Sequence, residues 1–564
     1  MATRTSRSSR LRRAAVAAGV LVAGVGAIPA AGAAASAATA APLLQVPPMG
    51  WNAWNSYGCS ATQSLIESVA DSMVANGMRD AGYRYVNVDD CWMTRDANGN
   101  LTGNSNYPDM KGLGDYLHAR GFKFGVYESP GAKTCAGYSG SAGHEVADAN
   151  TFASWGVDYL KYDYCESASS LSAQVADFAK MRAALQATGR PIVFSINPNS
   201  GSNTGAGVSR DWSDVSDQAR STEDIGDQWW GQSWPNGVAN IVSENATLAW
   251  RAKPGSFNDA DMLEVGNGGL STTEEQTHFA MWAMMASPLI ASANPSSINA
   301  TSLALLENPR LIALDQDALG LQARVIGGSR LVNSSGSLIL AKPLSNGDVA
   351  LALYNGSDSA QTLSTSLAAV GIPGTGTWTD QFTGTVVQSG AAAITTQVPA
   401  HGTAVYRVTA PSAPASWYSS LIDPTAAAQS YQAEDPAHSI VAGRWTGNSG
   451  AVFASCPVCS GGEKVSWIGG TNKLYLNGIY AQNAGTYPVT VQYLNGDGGA
   501  RYASIWTNGE NLQKVSFPGN GNWNSTQTAT VELTLNAGYN TITFGNEYGG
   551  WAPDLDMISV PATG

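Results

Sequence analysis

Between about residues 47 and 322, short apolar runs alternate with longer amphipathic stretches. The runs fall at 49–51, 85–90, 123–128, 159–163, 191–197, 215–220, 257–261 and 288–293, and several end in polar or acidic residues. Brief apolar runs bounded in this way read as buried strands. The segments between them, such as 64–81 and 172–188, carry the spacing of amphipathic helices. Eight strands over about 275 residues fit a (β/α)8 barrel in count and length. A doubly wound sheet is the alternative, but no GxGxxG follows the first strand.

The texture changes at about residue 323. Strand-like runs at 323–326, 337–341, 349–354 and 404–408, with Asn-Gly and Ser-Gly turns between them, predict an antiparallel β domain over 323–408. Residues 409–429 are rich in Pro, Ala and Ser and read as a linker. Short strands recur at 489–493, 503–506, 529–535 and 541–544, so 430–564 reads as a separate β-sandwich. Such a module is expected to fold alone, so that its removal leaves small-substrate kinetics nearly unchanged.

Composition narrows the function. The 564 residues are 43% hydrophobic and only 13% charged, with 17 Trp and 21 Tyr, so a packed core is expected and disorder is not. The formal net charge is −13. Arg4, Arg7, Arg10, Arg12 and Arg13 open the chain and residues 1–41 hold no acid, so without them the charge is five units more negative. That acidity argues against nucleic acid, which needs clustered Lys and Arg. Neutral substrates such as sugars remain.

The Arg-rich start, an apolar run over 14–28 and small residues to about Ala41 predict a signal peptide at 1–41 and a secreted protein. Arg12-Arg13 fits twin-arginine export. No later run reaches the ~18 apolar residues of a membrane span, so no membrane association is expected of the mature form. Six cysteines, Cys59, Cys91, Cys135, Cys165, Cys456 and Cys459, are an even count in an exported chain and suggest disulfides, with fifteen connectivities open. A lone CxxC with no second pair and no nearby His after it disfavours zinc.

In a barrel, active sites form at the C-terminal ends of the strands. Here those ends are acidic: Asp89-Asp90, Asp163, Asp224, and Asp259 with Asp261. Crowded carboxylates repel, so something should exploit them. Metal binding is one option, though no His accompanies them. A pair of carboxylates flanking a glycosidic bond is the other. Lys161 lies two residues before Asp163 and points the same way on a strand. A buried ammonium there is expected to keep Asp163 ionised, as a nucleophile requires. Trp51, Trp54 and Trp92 near strand ends are candidates for stacking on a sugar or for the core.

The runs PPMGWNAWNSYGC, YVNVDDCW, TCAGYSGS, YLKYDYC, FNDADMLEVGN and MWAMMASPL resemble glycoside hydrolase family 27, which includes α-galactosidases and α-N-acetylgalactosaminidases. The resemblance covers residues 47 to about 408. It implies a retaining exo-glycosidase that releases terminal α-galactosyl residues through a glycosyl-Asp intermediate, with no cofactor for catalysis. The Asp of KYD, Asp163, would be the nucleophile. RSTED places the acid/base at Asp224, four residues after Arg220. Asp89 and Asp90 match the residues that hold the 6- and 4-hydroxyls of galactose. Lys161 matches a hydroxyl-binding Lys, Trp54 the stacking Trp, and Tyr127 and Asp261 pocket-lining positions. The resemblance also pairs Cys59 with Cys91 and Cys135 with Cys165.

Three departures stand out: YESPG at 127–131, Tyr164 after KYD, and a fifth strand ending in Ser195-Ile196-Asn197-Pro198 where the family has Cys-Glu-Trp. Asn197 can still bond a hydroxyl. The small Asn199, Ser200 and Gly201 leave room near C2 for an N-acetyl group. Other glycones in the family are β-L-arabinopyranosides and the isomaltosyl unit of dextran. A non-catalytic sugar-binding protein is the alternative of another class, disfavoured because Asp163, Asp224 and Lys161 are all present. The last domain resembles carbohydrate-binding modules of families 6 and 35 at Gln432-Ala433-Glu434 and Asp554-Leu555-Asp556. Gln432, Glu434 and Asp556 are oxygen donors suited to a structural calcium. Trp467, Tyr487, Asn546 and Trp551 are candidates for sugar contact there, and Cys456 and Cys459 for a small bridge.

Overall fold

The fold is known from a computed structural model that describes residues 42–165, 170–200, 205–231, 234–332, 335–409, 429–442 and 451–562. The expected leader at 1–41 and nearly all of the expected linker lie outside them. Eight parallel strands form the barrel wall: β1 Met49–Asn52, β2 Tyr85–Asn87, β3 Lys123–Glu128, β4 Tyr159–Asp163, β5 Val193–Asn197, β6 Gln218–Arg220, β7 Phe257–Asp259 and β8 Leu289–Ala291. Neighbours pair in the order β8-β1-β2-β3-β4-β5-β6-β7. A parallel bridge from Leu263, just past β7, to Ala291 of β8 carries the wall round. The strands are buried almost throughout, as a wall packed on both faces requires.

Several strands stop short of the runs that predicted them. Backbone N–H groups there bond side-chain carboxylates instead of a neighbouring strand. The Asp90 N–H donates to Asp89 Oδ1, Cys91 to Asp90 Oδ1, and Asp261 to Asp259 Oδ1. The chain thus leaves the sheet where its acids begin, and Cys91 and Asp261 take positive φ of 78° and 73°. The helical reading of 64–81 is split. A helix over Gln63–Ala75, capped by Thr62, ends before Gly77 (φ 96°), and a separate turn spans Met78–Ala81. The reading of 172–188 stands as the helix Leu171–Ala187, capped by Ser170.

The antiparallel domain follows as a six-stranded sheet with a two-stranded partner, Gln361–Ser366 with Ala393–Val398. It is fixed to the barrel by the buried helix Thr272–Met284. Thr277 Oγ1 donates to the His401 carbonyl, and Lys342 Nζ reaches the Ala283 and Leu314 carbonyls. The C-terminal domain is a sandwich of two antiparallel sheets with its own apolar core. It does not stand apart. Ile440 and Tyr475 of the module share a buried apolar cluster with Val208 and Leu248 of the barrel, and residues 42–564 form one compact unit.

Candidate active site

The strand ends bring the predicted residues together. Asp163 pairs in register with Asn197 and Tyr127 with Lys161, and Arg220 ends β6, so four neighbouring strands, β3 to β6, deliver these side chains to one end of the barrel. They line a cavity of about 530 Å3 together with Trp54, Asp89, Asp90, Asp224 and Asp261. All ten residues expected at the site border this cavity. Asp259 does not. It accepts from Gln218 Nε2 at 2.6 Å in the barrel interior. Trp51 and Trp92 are fully buried core residues, with their indoles bonded to the Ala293 and Tyr127 carbonyls. Trp54, at the rim, keeps a third of its surface open.

The floor is a charge lattice. Asp89 Oδ2 accepts from Lys161 Nζ at 2.8 Å and from Asn52 Nδ2 at 2.7 Å. Lys161 stands farther from Asp163, at 3.8 Å. Arg220 bonds Asp261 at 2.7 Å and Asp224 at 3.2 Å. Asp163 Oδ1 is buried and without a hydrogen-bond partner, and so is the Tyr127 hydroxyl. An unpartnered buried oxygen is costly, and such atoms cluster where a ligand completes the bonding.

Lys161 acts on Asp163 in the expected, lowering direction, but burial outweighs it. Burial pushes the Asp163 carboxyl up to about 7, and the nearby Asp89 and Asp224 charges add to it, while Lys161 and Arg220 only partly oppose. Lys161 spends its shortest contact on Asp89. At Asp224 burial works in the raising direction too, but Arg220 and Lys161 outweigh it and hold this carboxyl below its ordinary value. Burial raises Asp261 to about 6 against the pull of Arg220, and burial raises Asp90 as well.

Two departures from the family pattern prove structural. Glu128 of YESPG is fully buried outside the cavity, raised well above its ordinary value by that burial, and accepts from the Ser129 N–H. The Tyr164 hydroxyl donates to Asp177. Cys59–Cys91 and Cys135–Cys165 are bridged as the resemblance implied, and Cys456–Cys459 closes its small loop. Cys135 and Cys165 themselves border the cavity. Asn55, Glu223, Ile225, Trp234, Pro235 and Met262 also border the cavity and escaped the sequence reading, and Trp234 is the one that bonds a predicted catalytic carboxyl. Trp234 is exposed at the rim, and its indole N–H lies 3.3 Å from Asp224 Oδ2. The only signal was the aromatic run WWGQSW just past RSTED.

In the C-terminal module, Gln432 Oε1 and Asp556 Oδ1 both accept from Ser460 Oγ at 2.8 Å. Glu434 Oε2 is buried with no hydrogen-bond partner. Among the described residues no three His, Cys, Asp or Glu side chains form a metal-holding group. Tyr487, a candidate for sugar contact, is sandwich core instead, and Asn546 is buried capping a turn. Trp467 and Trp551 are exposed, with ring centroids 5.3 Å apart, edge to face.

Comparison with known proteins agrees with this arrangement. Residues 46–317 match the family described as "Alpha galactosidase A", 335–408 the "Alpha galactosidase C-terminal beta sandwich domain", and 473–560 an "Alpha-galactosidase, CBM13 domain". The last carries a different binding-module label from families 6 and 35 for the same C-terminal sandwich. Alpha-galactosidase A of Cellvibrio japonicus is 42% identical over 56% of this chain and 78% of its own length. An α-galactosidase of Cyamopsis tetragonoloba is 39% identical over 58% and 77%. Among solved structures, the α-galactosidase of Saccharomyces cerevisiae with raffinose superposes with a TM-score of 0.60 at 29% identity. It covers 65% of this chain and 98% of that one.

Proposed function

This chain belongs to glycoside hydrolase family 27, the α-galactosidase family, and on that footing we propose that it removes terminal α-galactosyl residues from oligo- and polysaccharides with retention of configuration. The observation that carries the reading is the buried, unpartnered Asp163 Oδ1 in a cavity that also presents Asp224 on its Arg220 and Trp234 bonds. Asp163 attacks C1 and the bond to the leaving oxygen breaks as Asp224 gives that oxygen its proton. Asp224 then takes a proton from water, which displaces Asp163 from the sugar. Asp89 and Asp90 accept from the 6- and 4-hydroxyls, Lys161 donates to a ring hydroxyl, and Trp54 covers the apolar face. Asn197, Asn199 and Ser200 border the cavity and leave room at C2, which makes an α-N-acetylgalactosaminide the competing glycone. A panel of nitrophenyl glycosides decides: the α-galactoside should have the highest kcat/KM. A clear preference for another glycone would overturn the reading.

Retention needs one proton on the Asp163–Asp224 pair. In the free site that proton rests mainly on Asp163, so the productive form, with Asp224 protonated, is a minor tautomer of the same charge state. The pair loses its proton as pH passes about 7. It gains a second only below the ordinary carboxylate range, because Asp224 is lowered. We expect kcat/KM on the nitrophenyl α-galactoside to be bell-shaped, with its basic limb near pH 7. A basic limb below pH 5 would mean that Asp163 is not raised.

The oxygen donors Gln432, Glu434 and Asp556 fit a structural calcium in the C-terminal module, with Ser460 between two of them. The support is Glu434: burial pushes its carboxyl up to about 7, with Asp556, Glu463 and Asp435 adding repulsion, and one oxygen has no partner. Bound calcium would balance this charge. At a hundred times its Kd an ion stabilises by about 2.7 kcal/mol, so calcium should raise the Tm of the full chain and EDTA should reverse the rise. An unchanged Tm removes calcium from the reading.

The exposed Trp467–Trp551 pair serves in our reading as a stacking platform for polymer. Its double replacement by Ala should weaken retention on galactose-bearing polysaccharide and spare hydrolysis of the nitrophenyl glycoside. Equal retention would argue against that role. Three disulfides persist best in oxidising surroundings. Together with the N-terminal leader pattern they support secretion, which cell fractionation would test. No helix among the described residues is long and apolar enough to cross a membrane.

A further inference from the structure

The seam between the barrel and the C-terminal module is built around a buried cation. Arg251 is only 4% exposed. Its guanidinium donates to the carbonyls of Gly207 and Val208, each at 2.7 Å, and lies 3.4 Å from Thr541 Oγ1 of the module. Thr541 Oγ1 donates to Asn477 Oδ1 at 2.8 Å, and Asn477 Nδ2 returns to Thr247 Oγ1 of the barrel at 3.3 Å. All of these side chains are buried. Arg251 hydrogen-bonds carbonyls and a hydroxyl rather than carboxylates, its guanidinium also lies 4.7 Å from the centre of the Trp250 ring, and burial pulls its pKa down against the opposing charge of Asp211. A buried charge without a carboxylate partner is costly, so the contacts it makes call for a reason beyond stability.

The segment that Arg251 grips leads to the active site. The Gly207 N–H donates to Asn199 Oδ1 at 2.7 Å. Asn199 Nδ2 donates to the carbonyls of Arg220 at 3.1 Å and Thr222 at 2.9 Å. Asn199 borders the cavity and its N–H donates to Asn197 Oδ1 at 3.0 Å, and Arg220 holds Asp224 and Asp261. There is no slack in this path. A Cβ on Gly207 would lie 2.5 Å from the Arg220 carbonyl oxygen, and one on Gly205 would lie 2.4 Å from the Tyr475 hydroxyl of the module. A Cβ on Gly509, at a turn of the module, would meet Leu171 at 2.4 Å and Ser209 at 3.0 Å.

We propose that the C-terminal module is a positioning element of the active site, acting through Arg251 on the wall that carries Asn199 and on the backbone that sets Arg220 and Asp224. The inference rests on the proposed catalytic site, and it reverses the expectation of a freely tethered module. Arg251 touches no substrate. It fixes a wall whose displacement by a fraction of an ångström misplaces both Asn197, the residue read as bonding the sugar near C2, and the acid/base.

The test uses the full chain and a small soluble glycoside, on which a tethered binding module has no influence. Arg251→Met should lower kcat/KM on nitrophenyl α-galactoside between about ten- and a hundredfold, at temperatures well below its melting point. Arg251→Lys should recover part of the loss. Thr541→Val, on the module side, removes one hydroxyl and serves if Arg251→Met does not fold. Its loss should be smaller and in the same direction, and the double variant should lose less than the two single losses combined. A purely structural role would leave substrate preference alone. Here the preference for the galactoside over its 2-deoxy analogue should shrink toward one in both variants. Wild-type kinetics in folded Arg251→Met and Thr541→Val, or an unchanged 2-deoxy preference, would overturn the inference. If the wild type instead prefers another glycoside, the proposed glycone fails, and the same variants assayed on that glycoside decide the inference by their kcat/KM.

Discussion

Asp163→Asn is expected to lose about four orders of magnitude or more in kcat while becoming more stable at neutral pH. The activity loss follows because an amide cannot form the glycosyl ester. Azide should restore turnover and yield a β-configured galactosyl azide, since a small nucleophile can occupy the face that Asp163 attacks. The stability gain follows from linkage. Folding raises this carboxyl from an ordinary value to about 7. Its favourable contribution is therefore fully present below the unfolded pKa and is lost as pH rises towards 7. The Asn variant has no such loss, so its Tm advantage over the wild type should be larger at pH 8 than at pH 4. Near-normal kcat would remove Asp163 from the nucleophile role. A Tm difference that does not change with pH would mean that the carboxyl titrates normally.

Asp224→Ala should separate substrates by leaving group. General acid catalysis contributes typically 10²–10⁴. A loss of that size is expected on galactosides with alkyl or sugar leaving groups, which need a proton to depart. The first step with an activated aryl galactoside needs little help, so its loss should be much smaller and the glycosyl-enzyme should accumulate as a burst. The basic limb of the pH profile should also flatten, because the pair no longer shares a proton. Uniform loss across leaving groups would make Asp224 a binding residue. Trp234 offers a milder version of the same test, since its indole bonds the other oxygen of Asp224 from an exposed position. Trp234→Phe should alter the pH profile of kcat/KM more than its maximum.

How far the sequence reached can be judged residue by residue. The acidic strand ends were legible because a barrel gathers such ends at one mouth whatever its loops do, and the resemblance, not their position, singled out Asp163, Arg220 and Asp224 among them. The eight strands were legible because a wall packed on both faces demands apolar runs. Their ends were overdrawn at 88–90 and 260–261, where acids of the chain itself take the N–H groups of Asp90, Cys91 and Asp261 that a strand would offer its neighbour. Trp51, Trp92 and Tyr487 could not be assigned between core and binding surface, because an aromatic residue looks the same in sequence on either side of the wall.

The sequence by itself determined the order of domains, the barrel and the acidic mouth, since these follow from local pattern and from spacing along single strands, while the pairing of Asp163 with Asp224 came from the family resemblance. Only the tertiary structure raises Asp163 and lowers Asp224. That depends on burial and on whether Lys161 lies 2.8 Å from Asp89 or from Asp163, distances set between strands. It alone brought Trp234 back onto Asp224, through the bridge of Ile225 to Asn236. It alone placed the C-terminal module against Arg251. A linker's composition reports the freedom of the linker, whereas docking depends on the complementarity of two surfaces more than two hundred residues apart, such as Thr247 and Asn477, and no local pattern encodes that.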